Sequence, residues 1–253
     1  VNSSTGNDGV PSQQLYTRDG SFSPDFRGNL RTSTGFYLQG WALDADENIT
    51  DVNTVETVNT RTIQGVAAAT TEVKMGANLN ADAGDTDSSW VTPGAGVGEY
   101  DPALAAGTVN MASGGVTPHF QRDIQIYDSL GRPRTVTAAF VREDPAVTPN
   151  AWHVEIIGDP NFVDTGAHPD GLIAAGRVTF DGQGAIASIA AGLDAVNVTW
   201  QNKFGAAASG IDLQWGDVGS TSGLTQFSSP SDVAYVTQNG AEVGELNGVR
   251  IDE

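Results

Sequence analysis

Apolar and polar residues alternate one by one along several stretches in the second half of the chain. The clearest run is Trp152–Ile156, in which three apolar residues alternate with His153 and Glu155. Because successive side chains of a β-strand point to opposite faces, this alternation predicts half-buried strands. Similar patterns occur in Gln121–Tyr127, Thr135–Val141, Arg177–Phe180 and Ala185–Ile189. Apolar residues with helical spacing and free of Gly or Pro are almost missing, so we predict an all-β chain.

A repeated turn signal separates the predicted strands: an Asp followed three positions later by a Gly. It occurs at Asp25–Gly28, Asp128–Gly131 and Asp181–Gly184. The carboxylate can cap the turn and the glycine can adopt a positive φ, which is the chemistry of a hairpin closed by a type I turn and a glycine bulge. We therefore expect a hairpin-rich sheet protein.

The distribution of strand signals predicts two domains. Segments 60–71 and 81–115 are rich in Thr, Ala, Gly and Asp, a composition typical of linkers or long surface loops, and we expect some short strand or turn within the second. Strand signals are densest over residues 120–200. We predict a β domain of residues 66–225 that interrupts a second, discontinuous β domain of residues 1–65 and 226–253.

Composition excludes several classes of function. The formal net charge is −19, from 31 acidic and 12 basic side chains, which disfavours binding to nucleic acid or to an anionic membrane surface. Cysteine is absent, so disulfides and thiolate metal sites are excluded. No apolar run approaches the roughly 18 residues that a membrane span needs. The first residues contain neither an initiator Met nor a secretory signal, and we expect a piece of a longer polypeptide.

No residue pattern predicts catalysis or a bound metal. The three histidines share no short spacing, and surface positions are expected for His119, His153 and His168. The stretch from Asp44 to Asp51 imitates the first half of a calcium loop, but Ile49 replaces the required Gly. A second acidic cluster is expected to be solvated; it consists of Asp82, Asp85 and Asp87. We therefore predict no catalytic, cofactor or metal site, and a protein that is not an enzyme.

Two other classes remain open at this point. The tryptophans could line a sugar-binding face, which would make the chain a secreted carbohydrate-binding or adhesin-like β domain; they are Trp41, Trp90, Trp152, Trp200 and Trp215. Trp152 and Trp200 lie in strand patterns, where a core position is more common. A secreted β hydrolase is the other class, although no acid–base pair stands out among the acidic residues.

One stretch near the N-terminus resembles the signature of bacterial flagellar rod and hook proteins, a pattern of the form YTRDGSF, then D-x-x-G-x-L, then G-x-x-x-Q-G. The matching positions are Tyr16, Thr17, Arg18, Asp19, Gly20, Phe22, Gly28, Leu30, Gly35, Gln39 and Gly40. As local structure, these residues predict short strands, with Phe22 facing Leu30 across the Asp25–Gly28 hairpin.

Two later stretches are similar to hook subunits in particular. One is the strand and turn that contain Asp128 and Gly131. The other contains Gln226, Phe227, Asn239 and Gly240, and resembles the return of the chain from an outer to an inner domain. Rod proteins are expected to lack so large an intervening domain, so the resemblance favours hook over rod.

The resemblance implies both an arrangement and a function. The discontinuous domain would lie near the axis of a helical tube and pair its first strands with the last residues of the chain, and the inserted domain would project outwards. Copies of the protein would form the extracellular flagellar hook, a flexible tube that transmits torque from motor to filament. Its partners would be further copies of itself and other flagellar axial proteins at the tube ends, with no cofactor. We expect the isolated chain to be monomeric, which sedimentation velocity would test.

Overall fold

The computed structural model describes residues 1–3, 15–18, 20–42, 48–49, 51–60, 67–94, 100–101, 109–242 and 249–250. The chain divides into two compact units, a smaller one of residues 1–66 and 243–253 and a larger one of residues 67–242. The strands of the described residues, in chain order, are β1 (Ser21–Pro24), β2 (Leu30–Arg31), β3 (Gln39–Gly40), β4 (Glu56–Thr57), β5 (Glu72–Asn80), β6 (Phe120–Tyr127), β7 (Pro133–Arg142), β8 (Ala151–Gly158), β9 (Leu172–Phe180), β10 (Ile186–Ile189), β11 (Ala195–Val198), β12 (Ser209–Gln214), β13 (Leu224–Phe227), β14 (Asp232–Gln238) and β15 (Val249–Arg250).

Helix is nearly absent from this part of the chain. The two short 3₁₀ helices found among the described residues span Pro169–Gly171 and Asn202–Phe204. The prediction of an all-β chain is confirmed. Within the same residues, no helix has both the length and the apolar character that crossing a bilayer requires.

The smaller unit is built around strand β1. This strand pairs antiparallel with β2 and, on its other edge, with β15, so the last residues of the chain return to the N-terminal motif as predicted. Strands β3 and β4 form a separate antiparallel pair. Phe22 and Leu30 are both buried. The register differs in detail from the prediction, because Pro24 is the residue opposite Leu30.

The larger unit contains two five-stranded sheets. The first is an antiparallel meander in the order β10-β9-β8-β7-β6. Its strands correspond to the alternating segments of the sequence, which confirms those strand predictions. Alternate residues of these strands face the second sheet, because the same apolar cluster contains Trp152, Phe140, Met75 and Leu213 from both sheets.

Strand β5 is the centre of the second sheet. Strand β14 pairs with one of its edges in an antiparallel manner. Strands β12 and β13 pair with the other edge, one after the other and both parallel to β5. A loop between them leaves the sheet and returns where the Leu224 amide donates to the Trp215 carbonyl, 2.7 Å away. A Cβ on Gly223 would overlap the Trp215 carbonyl, so this closure requires glycine.

The outer face of the meander is covered by the chain that precedes it. Val91, Tyr100 and Met111 pack with Ala139 and Val141 in a second apolar cluster. The described part of segment 81–115 contains the turns and short β-bridges that were expected within a surface loop. It is not only a surface loop, however, because Val91, Tyr100 and Met111 are buried against the sheet. Its physical role is to bury the side of the sheet that the alternation marks as polar.

One domain boundary also differs from the prediction. Residues 226–242 were assigned to the discontinuous domain, but they belong to the larger unit because β13 and β14 both pair with β5.

Candidate functional site

The three Asp-x-x-Gly turns share one geometry. In each, the Asp carboxylate accepts the amide N–H groups two and four residues later, as Asp128 does from Leu130 at 2.9 Å and Arg132 at 3.1 Å. The equivalent bonds are present at Asp25 and Asp181. The fourth residue has a positive φ in every case, 87° at Gly28, 71° at Gly131 and 81° at Gly184. The turn prediction is confirmed.

Asp128 also forms an ion pair with Arg134, which the turn itself does not require. Its other carboxylate oxygen lies 3.0 Å from Nη2 and 3.1 Å from Nε of Arg134, and both side chains are buried. The guanidinium carbon of Arg134 lies 4.7 Å from the Phe162 ring centre and 4.5 Å from that of Phe204. Stacking on the rings leaves the edge of the guanidinium plane free, and Nε and Nη2 on that edge both donate to the same oxygen, Asp128 Oδ2. The pair therefore ties the β6–β7 turn to two other loops of the larger unit.

The chain enters and leaves the larger unit through two adjacent segments, which we call the neck (residues 67–72 and 238–242). Ala68 and Ala241 form an antiparallel bridge with hydrogen bonds of 3.1 Å and 2.8 Å. Thr70 Oγ1 donates to Gln238 Oε1 at 2.8 Å and accepts the Tyr127 amide at 2.9 Å. The neck is thus held together and also attached to the meander.

The motif residues Asn239 and Gly240 complete the neck. Asn239 Oδ1 accepts the amides of Thr71 and Glu72 at 2.9 Å and 3.0 Å, and its Nδ2 donates to Thr71 Oγ1 at 2.8 Å. A Cβ on Gly240 would overlap Thr70 Oγ1, so only glycine permits this close approach. These two positions have a direct structural reason for their residue types.

The motif residues Gln226 and Phe227 lie on β13 rather than in the discontinuous domain. Gln226 is buried; its Oε1 accepts the indole N–H of Trp152 at 2.9 Å, and its Nε2 donates to Asn150. Phe227 is partly exposed and its ring covers Gly184. Both residues therefore stabilise the contact between the two sheets.

The remaining motif residues lie in the smaller unit. Gly35 has a φ of 93° in the turn that follows β2. Thr17 and Arg18 are exposed, Gly20 is partly buried, and Asp19 is outside the described residues. Tyr16, Gln39 and Gly40 lie together, along an open groove of about 190 Å³ that also includes Leu15, Trp41 and Val55.

Comparison with known proteins decides the family. Residues 99–241, more than half of the chain, match the family described as Flagellar basal body protein FlaE D2 domain. The chain belongs to this family. The hook resemblance found in the sequence is confirmed.

Individual relatives in this family are flagellar hook proteins. The chain is 28% identical over 183 residues to the flagellar hook protein FlgE of Caulobacter vibrioides. This match covers 61% of this chain and 30% of the Caulobacter protein. It is 36% identical to FlgE of Rhizobium meliloti over 154 residues. This match covers 59% of this chain and 29% of the Rhizobium protein. The matched region thus spans less than a third of each of these relatives. Among solved structures, a 32 kDa fragment of FlgE from Caulobacter crescentus has a TM-score of 0.48 and 23% identity, over 56% of this chain and 54% of that one.

The FlaE D2 match coincides with part of the larger unit. It ends at Ala241, the residue that pairs with Ala68 in the neck. It begins after β5, although β5 is the central strand of the second sheet. The folded unit therefore requires residues on the N-terminal side of the matched segment.

A cluster of buried polar side chains lies on the outer face of the FlaE D2 meander. Glu155 has no exposed surface and accepts hydrogen bonds from Tyr100 Oη at 3.0 Å and from the amides of Met111 and Ala112 at 3.2 Å and 2.9 Å. Burial raises the pKa of Glu155, and these donors partly oppose that shift. Its neighbour His153 has Nε2 3.0 Å from Glu143 Oε2, an ion-pair distance at which the ring is not aligned for a hydrogen bond.

The histidines have structural positions instead of the expected surface ones. His153 and His168 are buried, and His119 is partly buried. His168 Nε2 accepts the Thr199 amide at 2.9 Å, and His119 Nδ1 accepts the Arg142 amide at 3.0 Å. Burial lowers the pKa of all three imidazoles. The surface prediction is wrong because the segments that cover the sheet were not expected to do so.

One Ser–His contact resembles part of a hydrolase site, but its hydrogen bond runs in the wrong direction for catalysis. Ser89 Oγ lies 2.8 Å from His119 Nε2. Because Nδ1 of this histidine accepts a backbone N–H, the proton of the neutral ring is on Nε2. The ring then donates to Ser89 and cannot take its proton, which a nucleophilic serine would require.

The acidic residues do not assemble into a metal site in the described part of the chain, where no group of three or more His, Asp or Glu side chains is arranged to hold an ion. Asp85 was expected to be solvated, but it forms an ion pair with the buried Arg142 at 2.6 Å. Asp82 accepts a hydrogen bond from Ser228. Asp44 and Asp46 of the calcium-like stretch lie outside the described residues, and Asp51 accepts hydrogen bonds from Asn53 and Thr54.

The tryptophans do not form a shared platform. Trp152, Trp200 and Trp215 are buried in the larger unit, and each indole N–H donates to a protein oxygen. Trp90 is partly buried and donates to the Ala83 carbonyl, and Trp41, in the smaller unit, is exposed. This arrangement does not favour the carbohydrate-binding alternative.

Proposed function

We propose that this chain is part of a structural subunit of the bacterial flagellar hook, a flexible helical tube that transmits torque from motor to filament. Membership of the FlaE D2 family carries the proposal, and relatives in two organisms are named flagellar hook proteins. The proposed role is mechanical and includes no catalytic step. Copies of the protein are its main partners, with other flagellar axial proteins at the tube ends, and the tube is extracellular.

The proposed arrangement places the smaller unit near the tube axis and the larger unit outside it. The pairing of β1 with β15 supports a discontinuous smaller domain interrupted by the larger one. The neck supports the same arrangement, because it brings the points of entry and exit of the larger unit next to each other. A body attached through two adjacent strands can rotate to a limited extent while keeping its own fold.

The distribution of polar and apolar surface suits this mechanical role. As the tube turns, rows of subunits shorten and lengthen, so outer contacts must exchange partners while inner contacts hold. The larger unit holds 20 acidic and seven basic residues, which favours weak contacts between copies through like-charge repulsion. Its large apolar side chains are mostly inside the two-sheet core.

Electron microscopy of tubes assembled from the full-length protein tests the proposal. The two units are docked into the density as separate bodies. We expect the larger unit at high radius and the smaller one nearer the axis. A full-length protein that forms no tubes under any assembly condition would contradict the hook function, and the reverse radial order would contradict the arrangement alone.

A further inference from the structure

The neck contains an Asn–Gly dipeptide, Asn239–Gly240; the other such pair in the sequence, Asn247–Gly248, lies outside the described residues. An Asn side chain that precedes Gly can react with the backbone, because glycine has no side chain to hinder the approach of its amide nitrogen. We propose that Asn239 is a deamidation site that reacts only when the neck opens, and that one product of the reaction prevents the neck from closing again. This inference concerns the chemistry of the chain and does not depend on the hook function.

The reaction needs no co-reactant other than water. The Gly240 amide nitrogen attacks Cγ of Asn239, the proton of that nitrogen and the side-chain NH₂ group leave together as ammonia, and a succinimide ring forms. Water then breaks one of the two C–N bonds within the ring next to a carbonyl. One opening gives aspartate at position 239, and the other gives isoaspartate, in which the backbone is one methylene longer.

In the closed neck both reacting groups are bound elsewhere. Asn239 Oδ1 accepts the amides of Thr71 and Glu72, and its Nδ2 donates to Thr71 Oγ1. The Gly240 N–H donates to Gln238 Oε1 at 2.5 Å. The attack requires this nitrogen to lose its proton and the Asn239 side chain to turn towards it. These four hydrogen bonds must therefore break before the ring can form.

Hydrogen bonding, and not burial, protects this site. Asn239 is exposed to solvent, so water reaches it even in the closed neck. The bridge between Ala68 and Ala241 lies beside it, and separation of this bridge frees the segment that contains Asn239. Folded proteins undergo such local openings without unfolding as a whole. The deamidation rate should therefore measure how often the neck opens.

The closed neck has no room for the longer backbone of isoaspartate. A Cβ on Gly240 would overlap Thr70 Oγ1, and it would also lie only 2.8 Å from the Thr70 backbone nitrogen. An extra methylene directly before Gly240 would displace this tightly packed segment, so the two halves of the neck could not pair again. Aspartate keeps the backbone length and an acceptor for the amides of Thr71 and Glu72. The isoaspartate form should stay open, whereas the aspartate form should close.

Mass spectrometry of the 253-residue chain, incubated at about pH 8, measures the reaction. Cleavage after Glu242 and Glu245 places the two Asn–Gly pairs in separate peptides. A synthetic peptide of residues 234–244 gives the rate without the fold. We expect Asn239 to react at least about a hundredfold more slowly in the folded chain, because each of four hydrogen bonds opposes opening by roughly a factor of five.

A glutamine variant tests the hydrogen bonds of the neck. Gln238→Ala leaves the Asn–Gly pair in place, but removes the acceptor of the Gly240 N–H and the partner of Thr70 Oγ1. Deamidation should become at least about tenfold faster. The matched control is Gln214→Ala, at an exposed glutamine of β12, which should react at the wild-type rate.

A disulfide tests the opening itself. Because the chain has no cysteine, Ala68→Cys combined with Ala241→Cys can form one defined bond across the bridge. The oxidised form should deamidate at least about tenfold more slowly than the reduced form of the same variant, since a cross-link opposes separation of the segments that it joins.

The outcomes decide whether the neck controls the reaction. A folded chain that reacts as fast as the peptide, or equal rates in the oxidised and reduced forms, would overturn the proposal. Glu155→Gln destabilises the outer face of the meander instead, and an acceleration as large as that in Gln238→Ala would show that unfolding of the whole unit exposes Asn239. Hydrogen exchange of the purified isoaspartate form should be fast at Thr71 and Glu72. Wild-type protection of these amides would refute the claim that this product keeps the neck open.

Discussion

The smaller and the larger unit use the same hairpin turn, but only the larger unit builds a core on it. At Asp25 the turn is near the surface, and its second carboxylate oxygen lies beside the Asn29 side chain, 3.3 Å away. At Asp128 the corresponding oxygen binds a buried arginine whose guanidinium lies against two neighbouring aromatic rings. Local sequence therefore fixes the turn in both units, while the surrounding chain decides how much stability depends on it.

The two units also differ in how they cover their apolar residues. Among the described residues of the smaller unit, Phe22 and Leu30 are the buried hydrophobic side chains, whereas Tyr16, Phe26 and Trp41 are exposed. The larger unit has a continuous core between its sheets and a second one on the outer face of the meander. The larger unit therefore has two apolar cores of its own, whereas the described part of the smaller unit buries only these two hydrophobic side chains.

The largest expected effect comes from Asp128→Ala. Removing this carboxylate leaves the Arg134 guanidinium buried without a counter-charge, which typically costs about 3–5 kcal/mol. Urea denaturation of the 253-residue chain measures the change. The matched variant Asp25→Ala removes the same turn bonds near the surface and should cost about 1 kcal/mol. Equal losses at the two positions would show that the turn itself, and not the buried pair, determines stability.

The second effect, at Glu155→Gln, tests whether the outer face of the meander is a true core. The amide group of glutamine cannot accept hydrogen bonds at both of its end atoms, so at least one of three buried donors loses its partner, at a cost of about 2–3 kcal/mol. Hydrogen exchange at the amides of Met111 and Ala112 should accelerate. Glu72→Gln, at an exposed ion pair with Lys74, is the control and should change stability by less than about 0.5 kcal/mol. Unchanged exchange in Glu155→Gln would mean that the covering segment is held by apolar contacts alone.

A smaller effect is expected in the neck. Asn239→Ala removes the acceptor of two backbone amides and should cost about 1–2 kcal/mol, with faster hydrogen exchange at Thr71 and Glu72. Asn197→Ala, an exposed position on β11, serves as the control and should leave these amides unaffected. Protection of Thr71 and Glu72 in the Asn239 variant equal to the wild type would refute the role of this side chain in joining the two segments.

The smallest effect is a pH dependence confined to the larger unit, which contains all three histidines. Burial lowers their pKa values below the ordinary value of about 6.5. The unfolded chain then binds protons before the folded chain does, so the free energy of unfolding is highest above pH 6.5 and decreases as the pH falls. Each histidine contributes at most about 1.4 kcal/mol per pH unit.

Denaturation at pH 7.5 and pH 5.5 measures this dependence. His168→Gln keeps an acceptor near the Thr199 amide without the titration, and should reduce the difference between the two pH values. An unchanged difference would mean that His168 does not contribute. If the smaller unit also became less stable to denaturation between pH 7.5 and pH 5.5, the pH dependence would not be confined to the larger unit.

Sequence patterns predicted the parts of the fold that depend on local chemistry. Alternation identified strands β6 to β10, and the Asp-x-x-Gly pattern identified three turns with their capping carboxylates. They did not reveal that His153 and Glu155 are buried, because alternation separates two faces but does not say what covers the polar one. Strand β5 was also missed as the centre of a sheet, since its parallel partners lie more than 130 residues later. The neck was found only in part: Asn239 and Gly240 were known as motif residues, but their contacts with Thr70 and Thr71 depend on long-range pairing.

The position of β5 in the chain has a consequence for folding. Every strand that pairs with it lies in residues 209–238, whereas the meander β6 to β10 pairs only neighbours along the chain. When a newly made polypeptide emerges with its N-terminal end first, the meander can form before strands β12 to β14 are present. Until then, Val73, Met75 and Leu79 of β5 have no strand to pair with. Contacts between such distant residues form slowly. The second sheet of the larger unit therefore stays incomplete, and the apolar side chains of β5 stay exposed, until almost all residues of the unit have emerged.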